Sequence, residues 1–557
     1  MGCVMIRKPE IVALYRRLHS WVGILAGLFL FIGFYAGTLT QFEEPLRGWA
    51  MHHDGLPAPV EFNRLAELRD KALVEFPEAK SGFSLNFEPN SSDPSSMNWV
   101  LQRSRDHGPG LTVYAGLDQE GHVFVKERVQ PQGPRFINML HQRIGLPLNR
   151  AWGRPVMGIV AFLYAAALIS GVVVMLPSVA RAMFTMRLGQ GARRAWFDLH
   201  TLLGVFSLPF HIMIAVTALG FAFVEPLGMA ERALFIPASG GGAHGPQGQG
   251  PQAFQGFQGE QGQQGMRERE GQGREHARGN REVRMAGNQT LLTPEELVLR
   301  LKHQAPQFRP TAIDYMPNKQ GYRVMVVGPD ATTVTRTARG GMVPVDPYTG
   351  HITSMKDLPY KQSDAFLAAT AVGGFHFGRF GGWVGHITMA LMSAVGCFLF
   401  YSGNALWLAS RRRKDRAAGY LTDRLGTKIL SILSSGVMFG CMAGVSAVLV
   451  AMLIMPNAEY YAVCEAVFYA VFFVCLAIAG VMGGERSIPW LMRIVAFITI
   501  LVPVIDVWRY SHNEHYEYFG LSLDVTALLF SLWLVQVSYG RGATRLVRDP
   551  ARGLKEA

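Results

Sequence analysis

The sequence predicts an all-α transmembrane helical bundle of about eight spans, the first four from a duplicated unit, with two small α+β domains inserted on its outer side. Three observations carry that prediction. Apolar runs of about 18 residues or more, long enough to cross a bilayer core, lie at roughly 19–42, 155–176, 200–223, 383–408, 429–454, 460–482, 489–508 and 519–538. The segment from Leu18-His19 to Glu44-Pro45-Leu46 returns without gaps 181 residues later, from Leu199-His200 to Glu225-Pro226-Leu227, with Gly23/Gly204 and Phe42/Phe223 matched between. Lys and Arg crowd the segments before the first span, between the second and third, after the fourth (Arg411, Arg412, Arg413, Lys414, Arg416) and after the eighth. The positive-inside rule then places both termini in the cytoplasm and the two long inter-span segments outside.

Composition agrees with a membrane protein. The chain is 49% hydrophobic and 17% charged, and its mean hydropathy is positive despite a very polar internal stretch. A formal charge of +12 suggests nucleic acid at first, but its crowding on one side of the membrane makes it a topology signal and excludes that class. The first span is too long for a signal-peptide core and lacks a small-x-small cleavage site, so it reads as an uncleaved anchor. Tyr15-Arg16-Arg17-Leu18 is a poor twin-arginine match. Of five cysteines, Cys397, Cys441, Cys464 and Cys475 lie in spans and Cys3 at the cytoplasmic tip, so no disulfide framework is expected outside.

Each element follows in order. Residues 1–45 form the N-terminal tail and first span; at about 1.5 Å per residue, the stretch from His19 to Phe42 covers about 35 Å, a bilayer core. The first outer domain, 46–150, reads as a helix over Phe62–Phe76 and strands around Trp99–Arg103, Leu111–Ala115 and His122–Lys126. The second span follows at 151–180, and a cytoplasmic loop with the third span at 181–228. Residues 229–290 form an outer linker whose core, 239–288, is rich in Gly, Gln and Arg; it has too little apolar surface to order itself. The second outer domain, 291–376, opens on a capping box at Thr293-Pro294-Glu295-Glu296. It continues in strands over Gly321–Val327 and Thr332–Arg336 and then the turn Asp346-Pro347-Tyr348-Thr349-Gly350, of the kind joining two strands. The fourth span and its basic flank occupy 377–416, an additional module of four spans 425–540, and a cytoplasmic tail 541–557.

Each copy of the repeated span starts at a histidine under basic residues (Arg16, Arg17; Arg193, Arg194), so His19 and His200 share a depth near the inner face. Two related helices with a histidine at one depth are how a bundle makes a two-histidine site. His141, in Asn138-Met139-Leu140-His141-Gln142-Arg143, and His376, in Gly374-Phe375-His376-Phe377-Gly378-Arg379-Phe380-Gly381-Gly382, precede the second and fourth spans on the outer side. Ser170-Gly171 and Ser402-Gly403 sit at similar points inside those spans. His211 and His386 lie deeper, in spans three and four, and His211 aligns with Leu30, which breaks the repeat. Each is read three ways: an alternative ligand, a donor behind a ligand, or a histidine hydrogen-bonded between helices. Glu44 and Glu225 read equally as proton-handling groups or as a shared helix-terminal turn. In the added module Glu465, Asp506 and Asp524 fall in or near spans, and His512 and His515 mark an exposed outer loop rather than a metal site.

The motifs Leu18-His19-x-Trp21-x-Gly23, Asp198-Leu199-His200-x-x-x-Gly204, Leu140-His141, Phe375-His376-Phe377-Gly378-Arg379-Phe380-Gly381-Gly382 and Asp346-Pro347-Tyr348-Thr349-Gly350, in that set, resemble the PepSY-associated transmembrane family. That family includes iron-regulated inner-membrane proteins and ferric-siderophore reductases of Gram-negative bacteria. The resemblance covers about residues 10–415 and leaves the last four spans outside. It implies two PepSY domains in the periplasm and, for the reductase members, two haems in the bundle. It implies no flavin domain, and none is read here.

The residues suit that implication. Imidazoles on facing helices are good axial ligands for haem iron, and filling both axial positions favours electron transfer over oxygen chemistry. No Cys-x-x-Cys-His motif occurs, so the haems are expected as non-covalent haem b. His19 with His200 is the expected inner pair and His141 with His376 the outer pair. Arg16, Arg194, Arg143, Arg154 and Arg379, with Arg17, Arg193 and Arg150 beside them, are the cations available to propionates; on the outer side an anionic substrate or plain surface charge is an equal reading. The function expected is an inner-membrane reductase passing electrons from a cytoplasmic or quinol donor to a periplasmic ferric siderophore. The alternatives are a PepSY-domain scaffold binding peptides or a protease, and a transporter. The transporter is disfavoured because the repeats are parallel and the first four spans lack Gly/Pro-broken paired helices and a midplane charge.

Overall fold

In the computed structural model, residues 8–51, 53, 55–90, 92–101, 111–176, 192–235, 290–318, 321–329, 341–354, 358, 361, 371–455, 461–511 and 518–539 are described. The low-complexity linker, the strand expected over Thr332–Arg336, and His512 and His515 lie outside them. The chain divides into two compact units, one of residues 1–46, 131–223 and 387–557, the other of residues 47–130 and 224–386.

The first unit is helical because its apolar runs must satisfy their backbone groups internally. Helix α1 (Lys8–Thr40) is followed by the short α2 (Glu43–Ala50), whose first-turn Glu43 accepts a 2.6 Å hydrogen bond from Asn138. Helix α4 (Gly133–Gln142) carries His141, and α5 (Arg150–Met175) opens on Asn149, whose side chain accepts from the Trp152 amide. Among the described residues, seven helices are long and apolar enough to cross a membrane, and an eighth span is broken. That break corrects the sequence reading of an uninterrupted third span. The run divides into α6 (Ala192–Phe206) and α7 (Leu208–Phe235), bent by 64° between Arg194–Phe206 and Leu208–Phe223. The cause is Pro209, which has no N–H for the Val205 carbonyl and crowds the turn before it. The first copy has no proline there, and α1 runs unbroken.

Helix α9 (Gly382–Ala417) ends in the basic flank and leads into the added module: α10 (Leu425–Ile454), α11 (Tyr461–Met482), α12 (Gly484–Tyr510) and α13 (Tyr518–Tyr539). Helix α10 is its centre and is buried along most of its length. Gly436, Gly440 and Gly444 form a stripe on it; a Cβ at Gly440 would lie 3.0 Å from the Phe472 carbonyl oxygen of α11, so the two backbones approach closely. The module is not peripheral to the histidine bundle. Phe136 of α4 packs between Tyr461 and Phe468, Gly133 lies against Met452, and Tyr469 donates to the Gly145 carbonyl at 3.2 Å.

The second unit is built on one antiparallel seven-stranded sheet of order β4-β3-β2-β1-β5-β6-β7. The strands are β1 (Phe83–Asn86), β2 (Met97–Leu101), β3 (Leu111–Leu117), β4 (Val123–Val129), β5 (Ala312–Asn318), β6 (Gly321–Gly328) and β7 (Gly341–Val345). Each half is preceded by a helix, α3 (Leu65–Glu75) or α8 (Pro294–Gln304), and α8 carries the expected capping box at Thr293. The first strand after each helix pairs with the other, Phe83 opposite Tyr315. Their rings stack 4.4 Å apart in the core, while Ser84 donates to Asp314 at 2.6 Å. Leu68, Ala72, Leu297 and Leu301 of the helices close a single core over Trp99, Val324 and Val343. Arg69, 2% exposed, ties the segments by donating to the Leu292 carbonyl at 2.7 Å. The fold is therefore mostly helical with one continuous sheet, not all-α, and the two outer segments complete one another.

Candidate functional site

The histidines of the repeated span are built alike. His19 lies on α1 and sends Nδ1 to the Ala167 carbonyl of α5 at 2.8 Å; a Cβ at Gly171 would sit 3.1 Å from its Cε1. His200 lies on α6 and bonds Ser402 Oγ of α9 through Nδ1 at 2.7 Å; a Cβ at Gly403 would sit 3.4 Å from its Cε1. In each case a Ser-Gly pair on the following span leaves room for the ring, and a polar atom fixes it. Ser402 donates its own proton to the Leu399 carbonyl, so Nδ1–H of His200 is the donor to Ser402. The Ala167 carbonyl likewise only accepts. Both rings are thus held in the tautomer whose Nε2 carries a lone pair, and Nε2 makes no hydrogen bond among the described residues. This is how a protein prepares an imidazole for a metal.

His141 shares the anchored Nδ1 and the neighbouring glycine. Its Nδ1–H donates to the Gly33 carbonyl of α1 at 2.7 Å, and a Cβ at Gly37 would come within 2.9 Å of Nδ1. His211 does not. It is 2% exposed, and its Nδ1 lies 2.5 Å from the Tyr164 hydroxyl, whose proton finds no other acceptor. Tyr164 is then the donor, and His211 holds its proton on Nε2, an atom without a hydrogen-bond partner. Phe34, Phe210 and Tyr164 surround the ring with centroids 5.3 to 6.0 Å away.

His376 closes a helical stretch described over residues 371–376, and His386 lies in the first turns of α9; both belong to the second unit. Arg379 lies over the Phe377 ring at 5.9 Å and within electrostatic reach of His386. Arg16 and Arg194 are exposed, and Arg143 is half-buried beside Gly153. The side chains of Arg150, Arg154, Arg193 and Glu225 lie outside the described residues. Glu44 falls in the first turn of α2, and Cys397, Cys441, Cys464 and Cys475 are free thiols. Asp506 and Asp524 are buried in α12 and α13.

Sequence reasoning missed Tyr164, the glycines Gly33 and Gly37, and Asn404, which is buried against Gly27 with Nδ2 unbonded among the described residues. A signal for the first exists. The 232-residue offset that superposes Ser170-Gly171 on Ser402-Gly403 places Tyr164 on Gly396, so the tyrosine and His211 both break the repeat, and Gly396 lies against His211.

A multi-pass helical bundle and a unit built on one antiparallel sheet define the class. Residues 16–410 match the family model described as the PepSY-associated TM region. The chain belongs to that family. No curated protein matches it.

Proposed function

We propose that the protein is a haem-dependent reductase of a bacterial inner membrane that delivers electrons to a periplasmic ferric chelate. The observation that carries the reading is the paired construction of His19 and His200: fixed tautomers, a glycine beside each ring, and Nε2 available at one depth. These residues fit a bis-histidine haem b. When bound, the haem supplies a one-electron couple that no side chain here provides at ordinary potentials. His19 and His200 would hold the inner iron, with the Ala167 carbonyl and Ser402 setting their tautomers. Arg16 and Arg194 would offer positive charge to propionates at that face, and Arg143, Arg154 and Arg379 at the outer one. His141 and His376 would hold the outer iron; their pairing rests on the sequence repeat. The donor would be quinol or a cytoplasmic reductant. The substrate, Fe(III) in a hard-oxygen siderophore, is released on one-electron reduction because Fe(II) binds such ligands far more weakly.

The test is the haem content of the purified protein. Two acid-acetone-extractable b haems are expected, with His200→Ala and His376→Ala each retaining one. Retention of both by His200→Ala would defeat the ligand assignment, and a colourless, haem-free protein would put the peptide-binding scaffold in its place.

A further inference from the structure

His211 calls for an explanation that the ligand scheme does not provide. A buried imidazole with one nitrogen unbonded is unfavourable unless the site uses it. It is not prepared as a ligand, since its lone pair accepts from Tyr164 and its surroundings are packed aromatic rings. Its depth is informative. It aligns with Leu30, eleven residues or about 16 Å beyond His19 along α1, and its ring lies against Phe34. His141 is anchored on the same turn of α1, at Gly33 and Gly37. The Tyr164–His211 pair therefore stands beyond the layer of His19 and His200, at the turn of α1 that also anchors His141.

We propose that the Tyr164–His211 pair is a proton-uptake site coupled to electron residence in the bundle, an inference that rests on the haem reading above. An electron entering the bundle from the donor adds a negative charge in a medium of low dielectric, where a compensating positive charge is worth far more than in water. The balance is one electron from the external donor and one proton from water. The Tyr164 hydroxyl proton passes along the 2.5 Å bond to Nδ1 of His211, the proton from water replaces it on Tyr164 Oη, and the product is an imidazolium beside a neutral tyrosine. Oxidation reverses the transfer.

The surroundings leave this pair alone to respond. Around it, α1 from 26 to 42, α5 from 156 to 172, α7 from 208 to 219 and α9 from 388 to 404 carry no carboxylate, lysine or arginine. The other titratable groups on these stretches are Tyr35, whose ring stacks on Phe31, the Cys397 thiol, 3.9 Å from the Phe31 carbonyl, and Tyr401, whose ring packs on Trp196 and Phe439. The helix break lies close by. Pro209 leaves the Val205 carbonyl without its helical partner one to two turns below His211, and irregular backbone at membrane depth persists where protein or water satisfies it.

The experiment is a potentiometric titration of the full-length protein, in detergent with its haems, at pH 6, 7 and 8. The wild type should show a haem potential that falls as pH rises, approaching one proton per electron. His211→Leu and Tyr164→Phe should keep both haems and flatten that slope toward zero. Tyr164→Phe preserves the ring packing and decides the matter where His211→Leu fails to fold. An unchanged slope in a haem-loaded variant, or a pH-independent wild type, overturns the proton site and leaves the reductase reading standing. Loss of one haem from His211→Leu overturns it by making His211 a ligand. A wild type without haem removes both readings together.

Discussion

At the scale of single residues, glycine decides where the imidazoles can sit. A Cβ at Gly37 would press on Nδ1 of His141, so Gly37→Ala should displace the ring from the Gly33 carbonyl and destabilise the bundle by about 1–3 kcal/mol. Gly23 on the same helix has nothing within 4 Å, and Gly23→Ala should be neutral or slightly stabilising through helix propensity. Thermal melts of the two variants in one detergent make the comparison; equal melting temperatures would remove the steric argument. In the outer unit, hydrogen bonds from Arg64 and then Lys71 hold the Glu67 carboxyl down at about 2. A depressed carboxyl contributes stability above its unfolded value of 4.5 and loses it as pH falls toward 2. Glu67→Gln should therefore melt with less dependence on pH across that window than the wild type, and an identical pH profile would count against the pairing.

At the scale of elements, hydropathy and punctuation revealed the helices because their signals are local. The spans, the helix α3 and the Thr293 cap follow from runs and caps that a few neighbouring residues define. Thr293→Ala should cost about 1 kcal/mol in the melting of the outer unit, since Thr293 Oγ1 accepts from the Glu296 amide and Glu296 returns the bond. The break at Ser207 was hidden because the apolar run is continuous across it and only Pro209 marks it. Strands β1, β5 and β7 were hidden for another reason. They are short, and β1 and β5 gain their stability from each other across more than two hundred residues. The glycine stripe of α10 makes a further prediction. Gly440→Val should weaken the packing of α11, whereas Gly480→Val, with open space at its Cβ, should not. Protease accessibility of the α10–α11 connection in the two variants distinguishes them.

At the scale of the whole chain, the repeat announced the paired histidines, while their polar anchors became visible only when helices distant in sequence were brought together. Ser402 and Ala167 lie 202 and 148 residues from the histidines they fix. Sidedness is the prediction for this scale. A reporter fused after Leu56 or near Gly250 should read periplasmic and one after Lys414 cytoplasmic. A cytoplasmic signal near Gly250 would invert the assignment of inner and outer histidines. The sheet adds another. Residues 47–130 expressed alone should aggregate through the open edge of β1, and co-expression with residues 290–361 should rescue a soluble complex.

The pairing of β1 with β5 also sets a schedule for biosynthesis. Strand β1 ends at Asn86 and its partner begins at Ala312. At roughly 5–20 residues per second, the ribosome takes on the order of 10 to 45 s to make the intervening chain. Throughout that interval the second and third spans are being inserted, and the first half-sheet waits with the edge of β1 that faces β5 unclaimed, its other edge paired with β2. The newborn half-sheet is thus a client for whatever holds unfinished chains, and its survival depends on how long that escort lasts.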